Sequence, residues 1–116
     1  MFNECSKLSD IRGLFKWNVS SGIYFAYMFN NCSSLKLFGT QEWNVSNGTE
    51  FQYMFSGCKS ISSIITFSSW NVSKGRNFSF MFNECTKLSY ISPVKDWNVS
   101  NGKNFEGMFY NCPGDI

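Results

Sequence analysis

Trp43-Asn44-Val45-Ser46, followed by Phe51, Met54-Phe55 and Cys58, is the stretch on which the reading of this chain turns. The same string runs from Trp17 to Cys32, from Trp70 to Cys85 and from Trp97 to Cys112. In each copy Met lies eleven residues after Trp and Cys four after Met, and Met1-Phe2-Asn3-Glu4-Cys5 has the form of the tail of a further copy. Tryptophan recurs at steps of 26, 27 and 27. A fixed period of this length in a 116-residue chain marks a repeat architecture. In such a body no unit closes a core alone and each buries its neighbour.

Within one copy, Phe25, Met28, Phe29 and Cys32 fall at i, i+3, i+4 and i+7, the spacing of one helix face. The equivalents from Phe51, Phe78 and Phe105 keep it, which predicts a two-turn helix held by packing, since so short a helix is not stable alone in water. The preceding Gly22, Gly48, Gly75 and Gly102 predict a tight turn that exploits the backbone freedom of glycine. Apolar residues six and three before each Trp (Ile11 and Leu14, Leu37 and Thr40, Ile64 and Phe67, Ile91 and Val94) predict a short strand leading into the Trp turn, with Thr40 the one polar exception. The expected fold is a leucine-rich-repeat-like solenoid with a short strand and a short helix per coil, 26–27 residues per repeat and about four coils, in one domain over residues 1–116. Like side chains should then pile over one another along an elongated body.

Composition narrows the function classes. Charged residues make up 16% and aromatics 19%, with 13 Phe, so there is enough apolar surface to fold and disorder is not expected. The net charge of +2 is small and nothing basic is clustered along the chain, which argues against nucleic acid as a partner. No run reaches the eighteen or so apolar residues of a membrane span, and no signal-peptide pattern is present. The first residues already belong to a repeat and the last break off just after one, which reads as a segment of a longer protein.

The Met-Phe-x-x-Cys-x-x-Leu-x-x-Ile half of the repeat resembles BspA-like leucine-rich-repeat surface proteins. The Trp-Asn-Val-Ser start and the 26–27-residue step most resemble the mycoplasma-type surface lipoprotein repeat family, whose function is mostly unassigned. The resemblance covers nearly the whole chain. It implies a leucine-rich-repeat-like solenoid, display at the cell surface or outside the cell, and adhesion to host proteins or cells.

Histidine is absent, which removes Ser-His, Cys-His and His-metal arrangements. The carboxylates do not recur at one repeat position, apart from Glu4 and Glu84, so an enzyme is not expected and no cofactor is implied. The column Cys5, Cys32, Cys58, Cys85 and Cys112 is odd in number and forms no Cys-x-x-Cys pair; it reads as buried thiols, with disulfides or a soft metal as the alternatives. Trp17, Trp43, Trp70 and Trp97 read as packing residues, the alternative being a platform for sugar rings. Asn18, Asn44, Asn71 and Asn98 each stand in Asn-Val-Ser. They read as a ladder that donates to carbonyls of the neighbouring coil, the alternative being glycan acceptors.

What differs between copies carries more information about a partner. The residues just before each Trp vary most, and Arg12, Lys16, Gln41, Glu42, Ser69, Tyr90, Lys95 and Asp96 are the candidate partner-binding residues, with Lys36 and Ser63 beside them. The expected function is a non-enzymatic cell-surface module that binds a protein or a glycan; the alternative is a spacer, stalk or end-to-end self-associating body without its own ligand.

Overall fold

A computed structural model of the chain describes residues 2–9, 17–36 and 43–114. We call the four segments 17–32, 43–58, 70–85 and 97–112 the first to fourth rungs. The Phe-to-Cys half of each rung carries the expected helix spacing but is no helix. Two residues in every rung break it by taking a left-handed backbone: Tyr27 and Asn31 (φ 61° and 60°), Tyr53 and Gly57 (57° and 74°), Phe80 and Glu84 (55° and 59°), and Gly107 and Asn111 (both 61°). A side chain at such an angle costs roughly 1 kcal/mol or more, because Cβ crowds the following carbonyl.

The hydrogen bonds show what offsets that cost. The N–H groups of Phe25, Tyr27, Phe29 and Asn31 donate to the carbonyls of Glu50, Gln52, Met54 and Ser56 in the next rung, at 2.8, 3.0, 2.9 and 2.6 Å. The second rung repeats this onto Asn77, Ser79, Met81 and Asn83, and the third onto Asn104, Glu106, Met108 and Tyr110. The amides between them turn inward: Met28 donates to Phe25, Asn30 to Tyr27 and Cys32 to Phe29. Alternate amides thus run along the stack while the others close tight turns, and no amide continues a helical i to i−4 series. Each ladder bond is worth about 1 kcal/mol net, enough to balance the left-handed residues.

The solenoid of strand–helix coils is therefore overturned. Among the described residues the helical segments are two 3-10 turns, Ile65–Phe67 and Ser92–Asp96. In place of strands there are isolated parallel bridges, Tyr24 to Glu50 to Asn77 to Asn104 and Ser63 to Tyr90. The body is not elongated either, measuring 32 × 31 × 20 Å. The strand expected before Trp is reduced to the Ser63–Tyr90 bridge and then coils into the 3-10 turns, where Trp70 N–H meets Phe67 O at 3.0 Å and Trp97 N–H meets Val94 O at 3.1 Å. Pro93 favours that coil, since it has no N–H to give a strand and its fixed φ suits a first helical turn. The corresponding residues Ile11, Leu14, Leu37 and Thr40 lie outside the described residues.

The core consists of columns of like rings. Phe25, Phe51, Phe78 and Phe105 stack at centroid spacings of 5.6, 5.4 and 5.4 Å, and Phe2, Phe29, Phe55, Phe82 and Phe109 at 5.5, 5.5, 5.7 and 5.4 Å. Offset stacking of this kind adds about 0.5–1.5 kcal/mol per pair beyond area burial. Met54, Met81, Leu35, Ile61, Ile64 and Leu88 fill the space between the columns with almost no exposure. Gly48 serves this packing by its size: a Cβ there would lie 2.5 Å from the end of the Phe51 ring and 3.1 Å from Phe25. Room for a ring, rather than the backbone angle expected from sequence, is what that glycine supplies.

Trp70 is 4% exposed and its ring centre lies 4.1 Å from that of Phe67. Trp70→Ala should cost about 3–5 kcal/mol of unfolding free energy, read by urea denaturation; an unchanged midpoint would refute the packing account. Gly57 has φ +74°, and a Cβ there would collide with the side-chain amide of Asn31. Gly57→Ala should therefore destabilise by about 1–3 kcal/mol, whereas Glu84→Gly at the equivalent left-handed position should not.

Candidate functional site

The buried side of each rung is occupied by residues that recur, so any site must be built from what remains outside. Among the candidate partner-binding residues, Arg12, Lys16, Gln41 and Glu42 lie outside the described residues. Ser69, Tyr90, Lys95 and Asp96 are all exposed. Ser69 and Asp96 each immediately precede a buried indole, Trp70 or Trp97, which anchors the backbone beneath them. Lys95 and Asp96 sit in the 3-10 turn Ser92–Asp96, which packs against the 3-10 turn Ile65–Phe67, and Ser69 lies just after the latter. These three are thus carried on adjacent turns of neighbouring rungs.

Tyr90 is 47% exposed and is fixed from below: its N–H and that of Ser89 both reach Ser62 O, and its carbonyl accepts from Ile64 N–H at 3.3 Å. Beside it runs a cleft of 320 Å³ lined by Lys36, Ser60, Ile61, Ser62, Ser63, Ile65 and Thr66. Ile65 is 57% exposed there. An exposed tyrosine and isoleucine ringed by hydroxyls and a lysine have the make-up of a protein-contact patch, with its apolar centre and polar rim.

Two features escaped the sequence reading. One is an aromatic ridge. Tyr27 stacks on Tyr53 at 4.8 Å and Tyr53 on Phe80 at 5.1 Å, all three at left-handed positions. The signal was present as an aromatic two residues after the column Phe in three copies, but a helical reading gave it no direction. The other is charge. Sequence spacing left the basic residues scattered, yet Lys74, Arg76 and Lys103 line one cleft of 360 Å³ with Thr49 and Asn101. Stacking of rungs brings together residues 27 apart.

The asparagines of the Trp turn do not make the cross-coil ladder expected of them. Asn18, Asn44, Asn71 and Asn98 are exposed, and their Oδ1 atoms accept the N–H two residues on, from Ser20, Ser46, Ser73 and Ser100, at 3.0–3.1 Å. This is the local turn bond that favours Asn in such positions. The bond between rungs comes from the residue before glycine: Asn47 Nδ2 donates to Ser20 O at 2.8 Å and Asn101 Nδ2 to Ser73 O at 2.7 Å. Of the tryptophans, Trp43, Trp70 and Trp97 are buried and Trp17 is 44% exposed. Trp97 Nε1 donates to Phe67 O at 2.9 Å.

All five cysteines are free. Each thiol from Cys32 onward donates backward to a phenylalanine carbonyl: Cys32 to Phe2, Cys58 to Phe29, Cys85 to Phe55 and Cys112 to Phe82, at 2.9–3.1 Å. Burial pushes the Cys58 thiol well above its ordinary value, with the neighbouring Cys32 adding to the effect. Burial likewise raises Cys32. The neighbouring Cys112 thiol and then burial raise Cys85, while Cys85 in turn lowers Cys112.

A family description covers this arrangement almost end to end, matching residues 1–114. The chain belongs to the DUF285 family. Its members are described as Mycoplasma proteins of unknown function, which supports the mycoplasma side of the resemblance and leaves the BspA-like side without support. No curated protein and no solved structure matches this DUF285 chain. Among its described residues, no helix is long and apolar enough to cross a membrane.

The thiols of this DUF285 chain should differ sharply in access. A thiol reagent should modify exposed Cys5 in the native protein and spare Cys58 and Cys85; rapid reaction of all five would contradict the burial. The raised folded value of Cys58 also sets a pH dependence. Below about pH 8.5, the ordinary thiol value, native and unfolded chains both hold the proton and the stability is fully present. As pH rises beyond that, the unfolded thiol ionises first, and stability should fall towards the raised folded value. Urea midpoints from pH 7 to pH 10 should decline, with a shallower decline in Cys58→Ala.

Proposed function

We propose that this DUF285 protein is a non-enzymatic repeat module displayed at the cell surface, where it binds a protein partner of adhesin type. The observation that carries this reading is the division of labour within each rung. Recurring Phe, Met, Trp and Cys side chains fill the core. The positions that change from copy to copy, Ser63 against Tyr90 and Ser69 against Asp96, are half-buried or exposed and lie beside those core residues. A rigid frame with a variable surface suits recognition, because little ordering entropy is lost on binding. Tyr90 and Ile65 supply apolar contact, and Lys95 and Asp96 supply charges that select a partner and speed the encounter.

A specific observation favours a second reading, self-association. The amides of Phe105, Gly107, Phe109 and Asn111 stand where earlier rungs donate to the next one, and among the described residues none has an acceptor. Phe105 and Tyr110 beside them are 42% and 61% exposed. Such an edge is a template for another chain's carbonyls, and the carbonyls of Tyr24 and Ala26 in the first rung offer a complement.

The two readings separate experimentally. Binding to arrayed host surface proteins should fall at least about tenfold in the double charge swap Lys95→Glu with Asp96→Lys, at an unchanged unfolding midpoint; full binding by that variant would count against the module. For self-association, light scattering over a concentration series should show growth that Tyr110→Lys suppresses. A monomer at every concentration would remove that reading.

A further inference from the structure

In the cleft lined by Thr49, Lys74, Arg76, Asn101 and Lys103, stacking concentrates positive charge. Its geometry is set by backbone rather than by side-chain chance. Arg76 N–H donates to Thr49 O at 2.8 Å and Lys103 N–H to Arg76 O at 2.7 Å. Thr49, Arg76 and Lys103 therefore occupy the same place in three successive rungs, one ladder step of about 4.8 Å apart. Arg76 and Lys103 leave the backbone one above the other, and Lys74 stands two residues before Arg76 in the same rung.

Like charges so placed repel, by roughly 1 kcal/mol even in a watery dielectric. Folded proteins usually relieve this with a carboxylate, but among the described residues none pairs with Lys74, Arg76 or Lys103, and none lines the cleft. Lys74 Nζ is tethered at 2.8 Å to Asn47 Oδ1, a neutral acceptor that holds the ammonium without cancelling it. Asn101 is tethered in turn through Nδ2 to Ser73 O. Among the described residues, the guanidinium of Arg76 and the ammonium of Lys103 have no partner.

We infer that this cleft binds a sugar carrying a sulfate or phosphate ester. Arg76 presents the planar fork that matches two oxygens of a tetrahedral oxyanion, and Lys74 and Lys103 act as point charges on either side. The Thr49 hydroxyl and the free Asn101 amide oxygen are neutral groups suited to sugar hydroxyls. The 360 Å³ volume lies at the small end of the range for ligand clefts, about 300–1,000 Å³, and fits one ring with its ester. No apolar side chain lines it, which disfavours a greasy ligand. The cleft shares no residue with the Ser69, Tyr90, Lys95 and Asp96 face, so the inference stands whether or not that face binds a protein.

The test is an amide-shift titration of the labelled full chain at constant ionic strength with glucose 6-sulfate and, in parallel, glucose 6-phosphate. Sodium chloride, glucose and inorganic sulfate serve as controls. Saturable shifts confined to residues around Thr49, Arg76, Asn101 and Lys103, with both esters, are expected. Arg76→Gln and Lys103→Gln should each weaken binding about tenfold, as loss of one charged hydrogen bond implies, while the rest of the spectrum stays in place. Equal shifts with chloride, or full affinity in both variants, would overturn the site. Inorganic sulfate binding as tightly as the sulfated sugar would overturn the assignment of a sugar ligand.

Discussion

Everything in this structure depends on a backbone device: a left-handed residue placed twice in each rung, which keeps alternate amides pointing along the stack. Six of the eight residues at these positions are not glycine. Each pays roughly 1 kcal/mol in crowding and belongs to a ladder whose bonds return about as much. The balance is nearly even locally, so apolar burial decides it. Alternation brings Phe, Met and Cys from every rung onto one side, where they register with their equivalents above and below. A helix would bury the same face but would satisfy its amides within itself, leaving nothing to tie rung to rung. The ladder holds the columns in register, and the columns hold the strained residues in place.

The remaining polar groups are arranged to serve that register. Thiols donate to phenylalanine carbonyls in the preceding rung, which explains a small, weakly polar residue at a position with no exposure. Asparagines of the Trp turn close their own turn, while Asn47 and Asn101 tie one turn to the turn before it. Glycine stands beside the column Phe because a ring already fills the space a side chain would need. Repeated chemistry therefore has structural work in nearly every case, and the exposed surface is left to residues that break the repeat. Tyr90, Lys95, Asp96 and the Arg76–Lys103 pair are of that kind.

Much of this was legible before any coordinates. The Trp-to-Cys string marks out the units, and most of the Phe, Met, Trp and Cys that recur in it are buried among the described residues. The secondary structure was misread. Spacing of i, i+3, i+4 and i+7 reports which side chains share a face; it does not report the backbone that puts them there, and alternating right- and left-handed turns generate the same face. Tyr27, Tyr53, Phe80 and Glu84 carry no composition mark of a positive φ, since only Gly57 and Gly107 among their equivalents are glycine. The expected strand failed for a related reason: apolar residues every third position before Trp suit a 3-10 turn as well as a strand, as Ile65–Phe67 shows without a proline and Ser92–Asp96 with Pro93.

By itself the sequence determined the period, the residues that repeat and hence the membership of the core, because burial follows side-chain chemistry and recurrence follows from counting. Tertiary structure alone decided the backbone path, the pairing of amides between rungs and the meeting of Lys74, Arg76 and Lys103. The physical reason is one of distance. Those arrangements depend on residues about 27 positions apart being brought within one ladder step, and no local preference of Tyr27, Arg76 or Lys103 encodes a neighbour so far along the chain.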